Sequence, residues 1–209
     1  MGSRRICALT VTAFGLVCVT AGRGDAREFD FKDPKDVNAM TFVLDTPIEP
    51  IVGLASGVSG KVTFDPDRPE QISGRLVVAA NTLHVPNPKM NEHLHSAEWL
   101  DVAKYTEISF VFKAVRQAKK VGEDAFDLDV EGDFTCRGVT KPLRLPVKVS
   151  SLPGKFNQRM HRGDGDLLVL RAEFAIKRTD FGIKPDVPAA ALDDVIQLRA
   201  GIVGVWEKK

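Results

Sequence analysis

Ala125-Phe126-Asp127-Leu128-Asp129-Val130-Glu131-Gly132-Asp133-Phe134 sets the pattern on which the rest of the chain can be read. Phe126, Leu128, Val130 and Phe134 fall on one set of alternate positions, with Gly132 among them. Asp127, Asp129, Glu131 and Asp133 occupy the other set. Successive side chains of a strand point to opposite faces. One face of this segment must therefore meet water and the other must not.

The same period of two recurs along the chain. Ile108, Phe110 and Phe112 alternate with Ser109, Val111 and Lys113. Leu143, Leu145, Val147 and Val149 alternate with Arg144, Pro146, Lys148 and Ser150. Leu168 to Ile176 and Ile196 to Gly204 repeat it. Three earlier segments are weaker: Met40, Phe42 and Leu44; Val58, Val62 and Phe64, with a bend near glycines; and Leu76, Val78 and Ala80. Gly122-Glu123-Asp124 suits a hairpin turn, and Cys136-Arg137-Gly138 a turn or bulge. One region departs from the pattern. After Pro86-Asn87-Pro88, residues Met90, Leu94, Ala97, Trp99, Leu100 and Ala103 recur at near-helical spacing, which predicts one or two short helices over about 89–95 and 97–103.

Eight amphipathic antiparallel strands favour closure, because closure removes exposed sheet edges. The predicted fold is all-β: an eight-stranded antiparallel barrel with short helices between the third and fourth strands. Such a barrel either fills its interior with side chains or holds a ligand. Periodicity leaves both readings open. The twelve Phe against one Tyr and two Trp suit an apolar interior, since Phe adds area without a polar group that needs a partner.

The first 26 residues read as a cleaved secretory signal rather than as part of the barrel. Arg4 and Arg5 precede an uncharged run from Ile6 to Ala21, and Gly24-Asp25-Ala26 supplies small residues before a cut. The run is short for a membrane span. Cleavage removes three basic residues and one acidic one, and takes the net charge from +1 to −1. That balance argues against a general nucleic-acid binder. Cys7 and Cys18 leave as well, so Cys136 has no partner for an intramolecular disulfide or a thiolate metal site. It is expected to be a buried small hydrophobe.

Other chemistries find little support. His93 and His95 are two apart, whereas metal pairs on a helix stand three or four apart. No Gly-x-Ser-x-Gly elbow or phosphate-binding glycine loop occurs. The regular acidic residues 127–133 are a solvated strand face. No catalytic residue and no metal ligand is assigned.

Four pieces in order resemble the YceI-like family of exported bacterial proteins. They are Ser59-Gly60-Lys61-Val62-Thr63-Phe64-Asp65-Pro66, the run Asn91-Glu92-His93-Leu94-His95-Ser96-Ala97-Glu98-Trp99-Leu100-Asp101-Val102-Ala103-Lys104-Tyr105, Gly132 to Pro142, and Arg178-Thr179-Asp180-Phe181-Gly182-Ile183. The resemblance spans about 37–206 and makes residues 27–209 a single domain. Asp45, Thr106, Cys136 and the loop 151–166 depart from the family pattern.

The resemblance implies a lipocalin-like barrel holding a polyisoprenoid chain in an apolar interior, with quinones and polyprenyl lipids as the ligand class. It implies a periplasmic or otherwise exported binding protein rather than an enzyme. An isoprenoid lipid is then the partner, and no other cofactor is expected. Nucleic acid and stable membrane insertion are not expected, and a homodimer fits. Phe110, Phe112, Val130, Phe134, Leu145, Phe174, Ile176 and Leu198 are the candidate lining residues, with Phe181 at the mouth. Arg137, Lys141 and Arg178 are candidate head-group contacts, with an Arg178–Asp180 ion pair as the rival role for Arg178. Two other readings stay open: a solid barrel acting as a protein-interaction module, and a lipid-modifying enzyme for which only Cys136 is a reactive candidate.

Overall fold

The computed structural model describes residues 25–35 and 37–209. All but the last two residues of the expected leader lie outside the described residues. Ten strands form: β1 (Arg27–Asp30), β2 (Ala39–Leu44), β3 (Ile51–Ala55), β4 (Val58–Phe64), β5 (Ser73–Ala79), β6 (Glu107–Lys120), β7 (Ala125–Cys136), β8 (Val139–Leu152), β9 (Gly165–Lys177) and β10 (Val195–Glu207). They follow one antiparallel ring, β1-β4-β5-β6-β7-β8-β9-β10. Asp30 of β1 pairs with Val205 of β10 to close it.

The ring has eight positions because two of them are shared. β9 occupies one side of β10 along its whole length, so β1 and β2 both lie on the other side. β1 pairs with β4 and β2 with β3. The first two ring positions are thus single strands, each broken once. The sequence shows β2 and β4 and misses β1 and β3, which are too short for alternation to register.

A polar seam bridges the break between β1 and β2. The Asn38 side chain is 1% exposed. Its Nδ2 donates to the carbonyls of Phe31 (3.2 Å) and Val203 (3.0 Å), and its Oδ1 accepts from Val203 N–H (2.9 Å). A side-chain amide thereby stands in for the missing ladder opposite Val203. Asp33 holds the turn: its carboxylate accepts from the N–H groups of Lys35, Val37 and Asn38 at 2.7–3.0 Å and from Arg159 at 2.9 Å. Burial pushes the Asp33 carboxyl up, but the three N–H donors and Arg159 outweigh it and hold it below its ordinary value.

Helix α1 (Pro88–His95) forms as expected. Asn87 caps it by accepting from Met90 N–H at 3.1 Å, and Pro88 suits the first turn. The second expected helix, 97–103, does not form. Asp101 takes a left-handed φ of 49°, and the segment is a run of turns tied back to α1 by Leu100 N–H to Leu94 O (3.1 Å). The apolar spacing there reflects burial of Leu100 beside Leu94, not a helix. The loop 151–166 contains a short helix α2 (Phe156–Met160), anchored by Phe156 at 1% exposure and supplying Arg159 to Asp33.

The core divides along the barrel axis. One end is packed around Phe31, Phe64, Phe126, Val130 and Leu168, with Phe64 and Phe126 edge-to-face at 5.6 Å. The other end gathers Phe42, Leu94, Leu100, Phe134, Cys136 and Phe181, partly from α1 and the turns after it. Outside, the carboxylates of β7 meet bases of neighbouring strands: Asp129 with Arg144, Glu131 with Arg116, and Asp133 with Lys113.

Candidate functional site

Two apolar chambers lie in series inside the barrel, with cavity volumes of about 90 and 80 Å³. The upper one is bounded by Phe42, Leu94, Trp99, Leu100, Ile183 and Leu198, among others, and Cys136 reaches its wall. The lower is bounded by Leu76, Phe110, Phe112, Leu145 and Phe174. Met40, Val78, Ile108 and Phe134 border both. The interior is thus neither solid nor an open pore. It is a narrow, interrupted slot whose dividing walls include the flexible Met40, a side chain that readily changes shape. Among the described residues, Thr41, Ser109 and the indole of Trp99 bring the non-sulfur polar groups to its walls. Among the described residues no buried side-chain nitrogen or oxygen lacks a partner.

The chambers gather most of the expected lining. Phe110, Phe112, Leu145 and Phe174 border the lower chamber, Ile176 and Leu198 the upper, and Phe134 both. Val130 borders neither, being fully buried in the packed end. Phe181 lies outside the chambers and packs edge-to-face on Phe134 at 5.4 Å. Met40, on the early strand segment, and Ile183, in the 178–183 motif, also line the upper chamber, as do Leu94, Trp99 and Leu100, which the strand pattern did not suggest. The apolar recurrence after Pro88 was the available signal: it marks a segment folded over the barrel end.

A match to the family described as the YceI-like domain covers residues 29–203. The chain belongs to the YceI-like family. Protein YceI of Escherichia coli is 29% identical over 158 residues, covering 76% of this chain and 75% of that protein. Protein YceI of Salmonella arizonae is 30% identical over 162 residues, with the same coverage. Among solved structures, BcnA of Burkholderia cenocepacia superposes with a TM-score of 0.64 at 19% identity, over 79% of this chain and 95% of BcnA. A polyisoprenoid-binding domain from Saccharophagus degradans superposes with a TM-score of 0.60 at 10% identity, over 87% and 99%. These superpositions show a shared YceI-like barrel.

The basic candidates of this YceI-like chain are placed very differently from one another. Arg178 is 1% exposed, and all five of its N–H donors are used. They reach the carbonyls of Asp193 (2.9 Å), Ile183 (3.1 Å), Lys184, Val187 (2.5 Å) and Leu192 (3.0 Å). The expected Arg178–Asp180 ion pair does not form. Arg178 orders the 178–194 loop through backbone oxygens, which have no sequence signature, while Asp180 lies 3.9 Å from Lys141. Arg137 sits in the two-residue turn between β7 and β8 and donates to Gly182 O (2.5 Å) and Ala97 O (3.0 Å). Lys141 alone of the three is on an exposed rim, beside Asp180 and Phe181.

Cys136 is buried and unpaired. Burial pushes its thiol up to about 12, with Arg137 pulling weakly the other way. Near neutral pH it is a protonated thiol with little nucleophilic character. His95 is engaged structurally, its Nε2 lying 2.6 Å from Leu83 O.

Proposed function

We propose that the protein is a periplasmic or otherwise exported carrier that holds an isoprenoid lipid, of quinone or polyprenyl type, in its barrel. The observation that carries this reading is the composition of the two chambers: almost entirely hydrocarbon walls inside a closed ring. An isoprenoid chain has nothing to hydrogen-bond, so its site needs apolar wall and length. Two narrow spaces in series suit a thin chain better than a globular ligand. Each Å² of apolar surface buried contributes about 25 cal/mol, which over several isoprene units exceeds the cost of association. The likeness to a polyisoprenoid-binding domain supports the ligand class. Binding rather than catalysis is favoured by the inert state of Cys136.

Organic extraction of the purified protein followed by mass spectrometry tests the reading. A co-purifying isoprenoid lipid is expected. A lipid-free extract, together with no quenching of a Phe110→Trp variant by added quinone, would overturn it.

A further inference from the structure

We propose that the gap between β8 and β9 is a lateral portal through which the apolar chain of an isoprenoid quinone enters the barrel, its head-group oxygens accepting from Lys141 and Lys177. The proposal rests on the carrier reading and adds the route and the head-group contacts.

Along this seam two long strands part company over much of their length. β8 pairs with β7 from Val139 to Ser150, and β9 pairs with β10 from Gly165 to Lys177. Between β8 and β9 the ladder runs only from Val147–Ala172 to Leu152–Leu167. Residues 139–146 and 173–177 have no ladder between them.

The sequence encodes this opening. Arg137 and Gly138 both have positive φ, 49° and 71°, as a two-residue type I′ hairpin turn requires. The closing pair of such a turn, Cys136–Val139, is hydrogen-bonded, so bonded and non-bonded pairs alternate from there. By that count Pro142, opposite Asp133, and Pro146, opposite Asp129, fall at non-bonded pairs. Their backbone groups point away from β7, toward β9. Proline has no N–H, so both positions present β9 with no donor. Prolines in sheets belong on edges, and here two mark an internal edge.

The gap leads inward. A cavity of about 290 Å³ lies over it, lined by Lys141, Leu143, Ile176, Lys177, Asp180 and Phe181, and also by Phe134. Phe134 and Ile176 are at the same time walls of the upper chamber. Two side chains therefore part the outside from the inside. Phe181 lies on Phe134, and the turn beneath it is fixed by Arg137 on Gly182 O and Arg178 on Ile183 O. Opening is thus a matter of side-chain rotation rather than loop movement. Of the axial ends, one is solidly packed; the other is covered by Leu94, Trp99 and Leu100, and the cavity of about 270 Å³ outside them shares Ile51, Leu94 and Trp99 with the upper chamber but has no lysine on its rim. At the rim, the exposed Lys141–Asp180 contact is weak and is readily exchanged for a hydrogen bond to a quinone oxygen. Lys177, exposed on β9, stands beside it.

The test is stapling. Trp99 borders the upper chamber and reports quinone arrival by quenching, in a Trp206→Phe, Cys136→Ala background. Arg144→Cys with Ala175→Cys, joined by a short bismaleimide, closes the gap. Asp127→Cys with Lys148→Cys, joined likewise, staples an already paired β7–β8 site and serves as the control. Uptake of ubiquinone from vesicles containing phosphatidylglycerol is followed by stopped flow. The gap staple is expected to slow uptake by about tenfold or more relative to the control staple. Equal rates in the two stapled proteins would overturn the portal and leave the carrier reading intact, with the route then past α1. No quenching in any form would remove the carrier reading and the portal with it. An independent variant, Pro142→Val with Pro146→Val, restores two donors. It is expected to slow uptake and to protect backbone amides of 141–147 from exchange; protection gained without slower uptake would also overturn the portal.

Discussion

Two partings of the ring, between β1 and β2 along β10 and between β8 and β9, are filled in opposite ways. At the first, Asn38 copies a peptide group, and Asp33 and Arg159 lock the turn beside it. At the second there is no ladder, and two prolines face the opening, with Phe134 and Phe181 lying across it. A polar surrogate makes a break rigid, because every backbone group it serves would be costly to leave unpaired. Aromatic rings close a gap without directional bonds, and they can turn aside. The same topological defect is therefore a structural seam in one place and, on our reading, a doorway in the other.

The comparison is broken most severely at the anchor beneath the doorway. Arg178→Met leaves five carbonyls without their donor, and a loss of at least about 4 kcal/mol in unfolding free energy is expected by denaturant titration. Asp33→Asn attacks the polar seam and is expected to cost about 2–3 kcal/mol. It also changes the acid limb. The Asp33 carboxyl is held below its ordinary value in the folded state, so its stabilisation is full above the ordinary carboxylate range and is lost as pH falls through and below it. The Asp33→Asn variant should lose stability less steeply than the parent on acidification, in thermal melts taken between neutral and strongly acid pH.

Cys136 sharpens the contrast, since it lies in the sequence next to the doorway turn yet faces the upper chamber. With its thiol pushed up to about 12, alkylation of the native protein near pH 8 should be slower than in urea by about a hundredfold or more. Mass spectrometry of iodoacetamide-treated samples checks this. The smallest change is Lys141→Gln at the rim. Its partner is exposed, so melting should not shift measurably, whereas capture of quinone from anionic vesicles should slow and lose part of its salt dependence. A variant that melts early but captures normally would make this rim a structural seam like the first.

The eight ring positions were legible because each carries a long enough run of alternation to reveal its inner face. β1 and β3 were not, since four or five residues give too few repeats. The lining was legible wherever a strand supplied it, as with Phe110, Phe134 and Leu198. Residues from the barrel cover, such as Leu94 and Trp99, show as apolar but not as chamber walls, since their direction depends on how the segment folds back. Val130 obeys the same alternation as Phe134 yet is buried in the packed end, and period two carries no information about depth along the axis. Arg178 looked like half of an ion pair with Asp180. Its real partners are main-chain oxygens, which every residue possesses and no pattern advertises. Pro142 and Pro146 were visible from the outset, but their meaning needs the hairpin register, because only the register says which neighbour is denied a donor.

The closing contact of the ring joins Asp30 to Val205, and β2 joins the same last strand from Phe42 to Leu198. The first strands can pair early with β4 and β3, but their other edges must wait for the last strand. Contacts so distant along the chain are slow to form. On the proposed reading, in which the chain is exported before it folds, this delay would be protective, because the barrel cannot lock before its final strand is available.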